Sequence, residues 1–387
     1  MILARPYFGD PALDLALLRR PDPAGGVPAL FAGRRISYSF NTRVAIRKAC
    51  DILGLKPGDE VLAPAYNCGS ELDPLRHAGL AIRLYPVNQQ TSLDPDAVER
   101  MIGPRTRAIY LTHYFGFLQP ATGALRAICD RHGLSLVEDC ALSLLSGEAP
   151  AEGYAGDVAL FCFYKFFPVL AGGALVINTD RIAGDSSFDS PAPMKMVAKQ
   201  LVRAGLAVLP GGRAAGSALK RLRRRNVVGP ISQVRGSDPE LQPDMPASYY
   251  FDPRLLDTRI SRFAARPLRS FDVATTIATR RRNYLAYLDQ FADSPAIRPL
   301  FPDLTGGTCP LSMPVLIENR DAVARRLVAA GVAATPWWAG YNRHIDFSGV
   351  GDACFLKDHV LSLPVHQALT IEDVGQIVRR LQQSLAH

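Results

Sequence analysis

Several things are scarce or absent in this 387-residue chain. It contains no run of eighteen apolar residues, so no membrane-spanning helix is expected. The opening residues, MILARPYFGDPALD, meet charge and proline before the apolar core of a secretory signal could form, and the expected location is cytoplasmic. The seven cysteines are odd in number, scattered and without a C-x-x-C pair, which argues against a disulfide framework and against a zinc or other metal site. Lysine is rare, with seven residues against thirty-seven arginines.

Acidic residues are missing from Ser190 to Ser237, where Lys195, Lys199, Arg203, Arg213, Lys220, Arg221, Arg223, Arg224, Arg225 and Arg235 supply ten positive charges. The rest of the chain holds 34 basic and 36 acidic residues, so the formal net charge of +8 is local to that stretch. Without interleaved aromatics, the stretch does not suit single-stranded nucleic acid, and no nucleic-acid partner is expected. A solvated insertion is the plain expectation. Peripheral contact with an anionic membrane through 194–225, or guidance of a diphosphate-bearing substrate, is the alternative, with Gly205 and Pro210-Gly211-Gly212 limiting any single helix.

What is present between about residues 30 and 180 is an alternation of strand and helix signals. Asn41-Thr42 caps a helix whose apolar residues Ala45, Ala49, Ile52 and Leu53 share a face, and Gly54 and Pro57 end it. Strands are expected at Glu60–Ala63, Leu80–Val87, Ala108–Thr112, Leu134–Val137, Val158–Phe163 and Ala174–Ile177, with a helix at Ala124–His132 closed by Gly133. Apolar strands in a βαβα rhythm predict a mostly parallel sheet covered on both faces. Farther on, a helix over Phe271–Phe291, a strand over Leu311–Ile317, a helix over Asp321–Ala330, a strand over Val332–Thr335 and a last helix capped by Thr370 and Asp373 predict a smaller α+β unit. The expected division is an N-terminal arm (1–30), a large domain (31–270, with a basic insertion at about 184–245) and a small C-terminal domain (271–387).

Two residues stand out chemically. Asp139 follows a buried strand, where the carboxyl ends of an open sheet line a ligand crevice, although it could equally cap the next helix. Lys165 sits in Phe161-Cys-Phe-Tyr-Lys-Phe-Phe167 before Gly172-Gly173, an apolar setting that makes a lysine nucleophilic, unless it merely snorkels from a strand end. An Asp after one strand and a Lys after the next suit pyridoxal 5'-phosphate (PLP): the amine condenses with the aldehyde and the carboxylate keeps the pyridine nitrogen protonated. A phosphate cup is offered by Asn41-Thr42-Arg43 at a helix start.

On these residues the chain resembles the DegT/StrS-type nucleotide-sugar aminotransferases, within the fold-type-I PLP enzymes. Asn41-Thr42-Arg43 occupies that family's phosphate motif. Thr112-His113-Tyr-Phe-Gly116 is similar to its His-x-x-Gly segment, Glu138-Asp139-Cys140-Ala141 to its Glu-Asp-x-Ala, Lys165 with Gly172-Gly173 to its cofactor lysine, and Val360-Leu-Ser-Leu-Pro364 to its closing signature. The resemblance implies catalytic Lys165 and Asp139. It implies cofactor contacts from Asn41, Thr42, Arg43, Tyr66, His113, Asp139, Cys162 and Lys165. It also implies glutamate as donor, a keto-sugar as acceptor and a homodimer. The chain departs from the family in four places. Leu142 replaces a Gln or His, Cys162 replaces a Ser and Lys165 follows it with two fewer residues between, Cys68 falls where a stacking aromatic stands (with Tyr66 nearest), and Asp257 or Thr258 falls where the partner subunit gives an Asn. Two rival readings stay open: a PLP lyase or desulfurase using Cys68, and a non-catalytic relative that binds a partner. His113 and Trp337-Trp338 fit core packing as well as substrate contact.

Overall fold

A computed structural model describes residues 24–208 and 243–386, apart from 150, 185, 293 and 295. Most of the expected N-terminal arm and the basic stretch from 209 onward lie outside the described residues. A short helix α1 (Gly26–Ala29) leads into β1 (Arg35–Ser39), α2 (Thr42–Ile52), β2 (Glu60–Pro64), α3 (Leu72–His77), β3 (Ala81–Tyr85), α4 (Pro95–Arg100), β4 (Thr106–Thr112), α5 (Thr122–His132), β5 (Ser135–Asp139), β6 (Val158–Cys162) and β7 (Gly173–Ile177). These strands form one seven-stranded sheet in the order β1-β7-β6-β5-β4-β2-β3. The pairings from β3 to β6 are parallel, while β7 runs antiparallel to both β6 and β1.

The apolar strands are buried on both faces because successive side chains point to opposite sides. Val61 and Ala63 of β2 pack with Val44, Ala45 and Ala49 of α2 on one side. Leu62 between them, with Ile109 and Leu136, packs with Leu125 and Ile128 of α5 on the other. Gly133 ends α5 in the left-handed region, as its position predicts.

Beyond α6 (Met194–Val208) come α7 (Arg262–Leu268) and the long α8 (Val273–Phe291), the latter started by Asp272, whose carboxylate accepts from the Thr275 amide. A four-stranded sheet in the order β10-β11-β9-β8 then forms from β8 (Arg298–Pro299), β9 (Met313–Leu316), β10 (Thr335–Pro336) and β11 (Val360–Leu363). Helices α9 (Arg320–Ala329), α10 (Gly351–His359) and α11 (Ile371–Leu385) complete this part. Tyr287 and Phe291 of α8, Val315, Leu361 and Leu363 of the sheet, and Ile377 and Leu381 of α11 make its separate core. Thr370 and Asp373 form the expected reciprocal cap of α11.

Two local expectations change. The strand predicted over Val332–Thr335 shrinks to Thr335–Pro336, because the Ala334 amide turns back to the Val332 carbonyl at 2.9 Å and leaves the ladder. Gly205 does not interrupt helix α6, which runs unbroken from Met194 to Val208. No described helix is long and apolar enough to cross a membrane.

Candidate active site at the carboxyl ends of the strands

Asp139 ends β5, in register with Thr112 of β4. Its Oδ1 accepts from the Ala141 amide at 2.8 Å and its Oδ2 from the Tyr110 hydroxyl at 2.7 Å. The capping role and the strand-end placement are therefore both present. Strand alternation turns the preceding Glu138 to the opposite face, where its carboxylate accepts from His113 Nε2 at 2.9 Å and from the Gly156 amide at 2.7 Å. Because His113 Nδ1 accepts from the Gln119 amide at 3.0 Å, the imidazole proton sits on Nε2. Burial pushes the Glu138 carboxyl up. The hydrogen bonds from His113 and Gly156 outweigh it and hold the group below the usual carboxylate range.

The next strand delivers the lysine. After Cys162 the chain turns tightly: the Phe163 amide reaches the Gly172 carbonyl at 3.1 Å, and the Phe166 amide closes onto Phe163 at 3.1 Å. Lys165 stands on this turn, half-buried. Its ammonium has no hydrogen-bond or ion-pair partner among the described residues. Its charge acts on the thiols of Cys68 and Cys162 and on the carboxyl of Glu71. Burial pushes both thiols up, and Lys165 opposes the rise.

Glu71 went unnoticed in the sequence. It lies in the loop after β2, buried, with Oε1 accepting from the Cys68 amide at 2.8 Å. Burial, and then the charge of Asp139, push its carboxyl up, while Lys165 opposes them. Glu71 thus lies within electrostatic reach of both Asp139 and Lys165, and the strand order explains why. The carboxyl ends of β2, β5 and β6 share one edge of the sheet.

The start of α2 faces the same edge. Asn41 caps the helix by accepting from the Val44 amide at 3.1 Å, and the Thr42 hydroxyl donates to the Phe161 carbonyl at 3.0 Å. The amides of Thr42 and Arg43 take no part in hydrogen bonds among the described residues, and a helix start with free amides attracts anions. Gly173 permits the arrangement: a Cβ there would lie 2.7 Å from the Thr42 nitrogen.

Thr42, Asp139, Cys162 and Lys165 thus lie along the same edge of the sheet. The side chains of Asn41, Arg43, Tyr66 and His113 have other partners. The Arg43 guanidinium donates to the carbonyls of Ser248 and Tyr250 at 2.8 and 2.9 Å. The Tyr66 ring is fully buried against Tyr114 and Trp338, with centroids 5.5 and 5.1 Å away. Leu142 is buried in a core with Phe161 and Phe166. Asp257 holds its backbone at φ 66° and accepts from Lys48 at 3.3 Å and from the Asp189 amide at 3.2 Å, so its carboxylate serves this chain. Thr258 is buried. His113, Glu138 and Cys140 have ligand atoms within 4.8 Å of one another. Glu138 and the Gln119 amide occupy both ring nitrogens of His113, so it has no lone pair for a metal.

Solved structures share this architecture. TlmJ from Streptoalloteichus hindustanus superposes over 99% of both chains with a TM-score of 0.66 at 20% identity. Helicobacter pylori PseC, an aminotransferase involved in pseudoaminic acid biosynthesis, covers 99% of this chain and 100% of its own at a TM-score of 0.67 and 16% identity. That likeness establishes the fold, the large-and-small-sheet architecture expected from the sequence. Residues 36–188, from β1 past β7, match the model of the DegT/DnrJ/EryC1/StrS aminotransferase family. The erythromycin biosynthesis sensory transduction protein EryC1 of Saccharopolyspora erythraea is 36% identical over 163 residues, 39% of this chain and 44% of its own. The dTDP-3-amino-3,4,6-trideoxy-alpha-D-glucose transaminase of Streptomyces venezuelae is 35% identical over 147 residues, 35% of this chain and 37% of its own. The chain therefore spans less than half the length of the curated relatives it matches.

Proposed function

We propose that the protein is a PLP-dependent aminotransferase that moves an amino group from an amino-acid donor, glutamate by family resemblance, to a keto-sugar, nucleotide-linked as in the names of two of the relatives. One arrangement carries the reading: an unpartnered lysine and a strand-end aspartate that both act on the Glu71 carboxyl, with free helix-start amides on the same edge of the sheet.

The residues present fit PLP. The free amides of Thr42 and Arg43 suit its phosphate, the Asp139 carboxylate suits its pyridine nitrogen, and the Lys165 amine suits its aldehyde. When bound, PLP supplies an electron sink. Lys165 would hold the cofactor through its amine and would carry a proton as general acid and base. Asp139, oriented by Tyr110 and the Ala141 amide, keeps the facing nitrogen protonated. Glu138 and His113 stiffen β5 from behind. A homodimer, a cytoplasmic location and a domain boundary near residue 270 complete the proposal.

The structure gives the Cys68 rival less support. A nucleophilic cysteine needs a lowered pKa, and burial followed by the neighbouring Glu71 pushes this thiol up.

The test is direct. Protein mixed with PLP should gain an absorbance band at the edge of the visible range, and borohydride should fix the cofactor covalently on the peptide containing Lys165. Lys165→Ala should do neither. Glutamate should then discharge the band, and a panel of keto-sugars should restore it. Absence of the band in the unaltered protein would overturn the proposal in favour of a non-catalytic binding role.

A further inference from the structure

Lys357 lies on α10, and it is fully buried. Its ammonium donates to three carbonyls, those of Asn67 at 2.7 Å, Trp338 at 3.0 Å and Gly340 at 3.0 Å. The rings of Tyr341 and Phe347 stand over it, 4.8 and 5.2 Å from the nitrogen. No carboxylate among the described residues forms a salt bridge with it. The charged and titratable groups facing it are Cys68 and Glu71 on the loop after β2, the Tyr341 phenol, and Cys354 and Asp358 on its own helix. Arg320, on α9, donates to Lys357's own backbone carbonyl. A buried cation without a counter-ion is costly, so its place has to be explained by what it holds.

It holds two backbones that need holding. Trp338 is in the left-handed region at φ 51°, a conformation uncommon for so large a side chain, and its carbonyl is one of the three acceptors. The Asn67 carbonyl begins the loop that carries Cys68 and Glu71. A second tie from the same part of the chain, the Asn342 side-chain amide, reaches the Gly69 carbonyl of that loop at 3.1 Å. Gly69 is needed there, since a Cβ would lie 3.0 Å from the Asn342 Cβ. Residues 290 positions apart thus set where the Glu71 carboxyl stands against Lys165 and Asp139.

We infer that Lys357 is a positioning residue for the active site proposed above. Its ammonium fixes the Asn67–Glu71 loop, and the site is correctly assembled only while that nitrogen carries its proton. The stoichiometry gives the reason. An ammonium has three N–H donors for three carbonyls, whereas a neutral amine has two and turns a lone pair towards the third oxygen. One tie must then fail. Burial brings the Lys357 ammonium down to about 8, so the loss falls in an accessible range.

The inference rests on the PLP reading, and the experiment separates the two. Unaltered protein, Lys357→Met and Asn342→Ala are each loaded with PLP, and the cofactor band and the single-turnover rate with glutamate are followed across pH. Lys357→Met should still form the band, should react about tenfold or more slowly at neutral pH, and should lose a step near pH 8 that the unaltered protein shows. Asn342→Ala should react more slowly while keeping that step. Amide hydrogen exchange on the unaltered protein should show Cys68 and Glu71 losing protection as pH crosses about 8, beyond the intrinsic rise in exchange. That readout decides the matter should Lys357→Met fail to fold. A Lys357→Met rate within about twofold of the unaltered protein with the step retained, or unchanged protection across that range, would overturn the inference. No band in the unaltered protein would instead strike at the PLP reading.

Discussion

The Tyr110 hydroxyl, reaching from the neighbouring strand, donates to Asp139 Oδ2 over 2.7 Å inside a fully buried setting. Burial and the charge of Asp139 push the Tyr110 phenol well above its ordinary value, so it stays protonated and donating. Tyr110→Phe removes this bond without removing the ring. A hydrogen bond to a charged group is worth about 1.5–3 kcal/mol, so stability should fall by about that amount, and kcat/KM should fall roughly tenfold or more as Asp139 loses the donor that orients it. Steady-state kinetics beside a melting curve check it.

Asp139→Asn keeps the shape of the side chain and discards its charge. The PLP band should still form through Lys165, while the rate with glutamate should drop roughly a hundredfold or more because the pyridine nitrogen loses the group that keeps it protonated. Equal rates in the two proteins would show that Asp139 is only a cap for the Ala141 amide.

Glu138 makes a prediction about acid. Its carboxyl is held below its ordinary value, so the folded chain binds fewer protons there than the unfolded chain. The stability it contributes is present above about 4.5, the ordinary value, and is lost as pH falls through the lower folded value. Glu138→Gln should cost about 1–3 kcal/mol at neutral pH and flatten the fall in stability below pH 4.5. Urea titrations at several pH values measure both.

Gly173→Ala sets a methyl group 2.7 Å from the Thr42 nitrogen. The start of α2 must retreat, at a cost of about 1–3 kcal/mol in stability, and PLP affinity should weaken more than glutamate affinity. Fluorescence titration with PLP reads the difference.

The large sheet was legible because each strand is an apolar run between turn residues, and because Asn41, Gly133 and Thr370 announce helix ends. The short helices α3 and α4 carry too few turns for an apolar stripe to show. The placement of Lys165 and Asp139 at one edge could be read for a related reason, since Asp139 ends one strand and Lys165 sits on the turn after the next. Glu71 and Lys357 could not. Their roles depend on contacts that only folding creates, and the one hint was that a chain so poor in lysine has one among Phe355, Leu356 and Val360. Asn41, Arg43, Tyr66 and His113 show the converse: a motif position can be read from sequence while the direction of its side chain is decided by neighbours such as the Ser248 carbonyl and the Gln119 amide.

Because β7 folds straight back along β6, pairing Gly173 with Cys162, the segment bearing Lys165 is a fastened loop with both feet on adjacent strands. Adding or removing a residue there changes how far the amine extends and leaves the sheet untouched. The chain can therefore tolerate the altered spacing between Cys162 and Lys165 as a change of reach, much as a crane lengthens its arm without shifting its base.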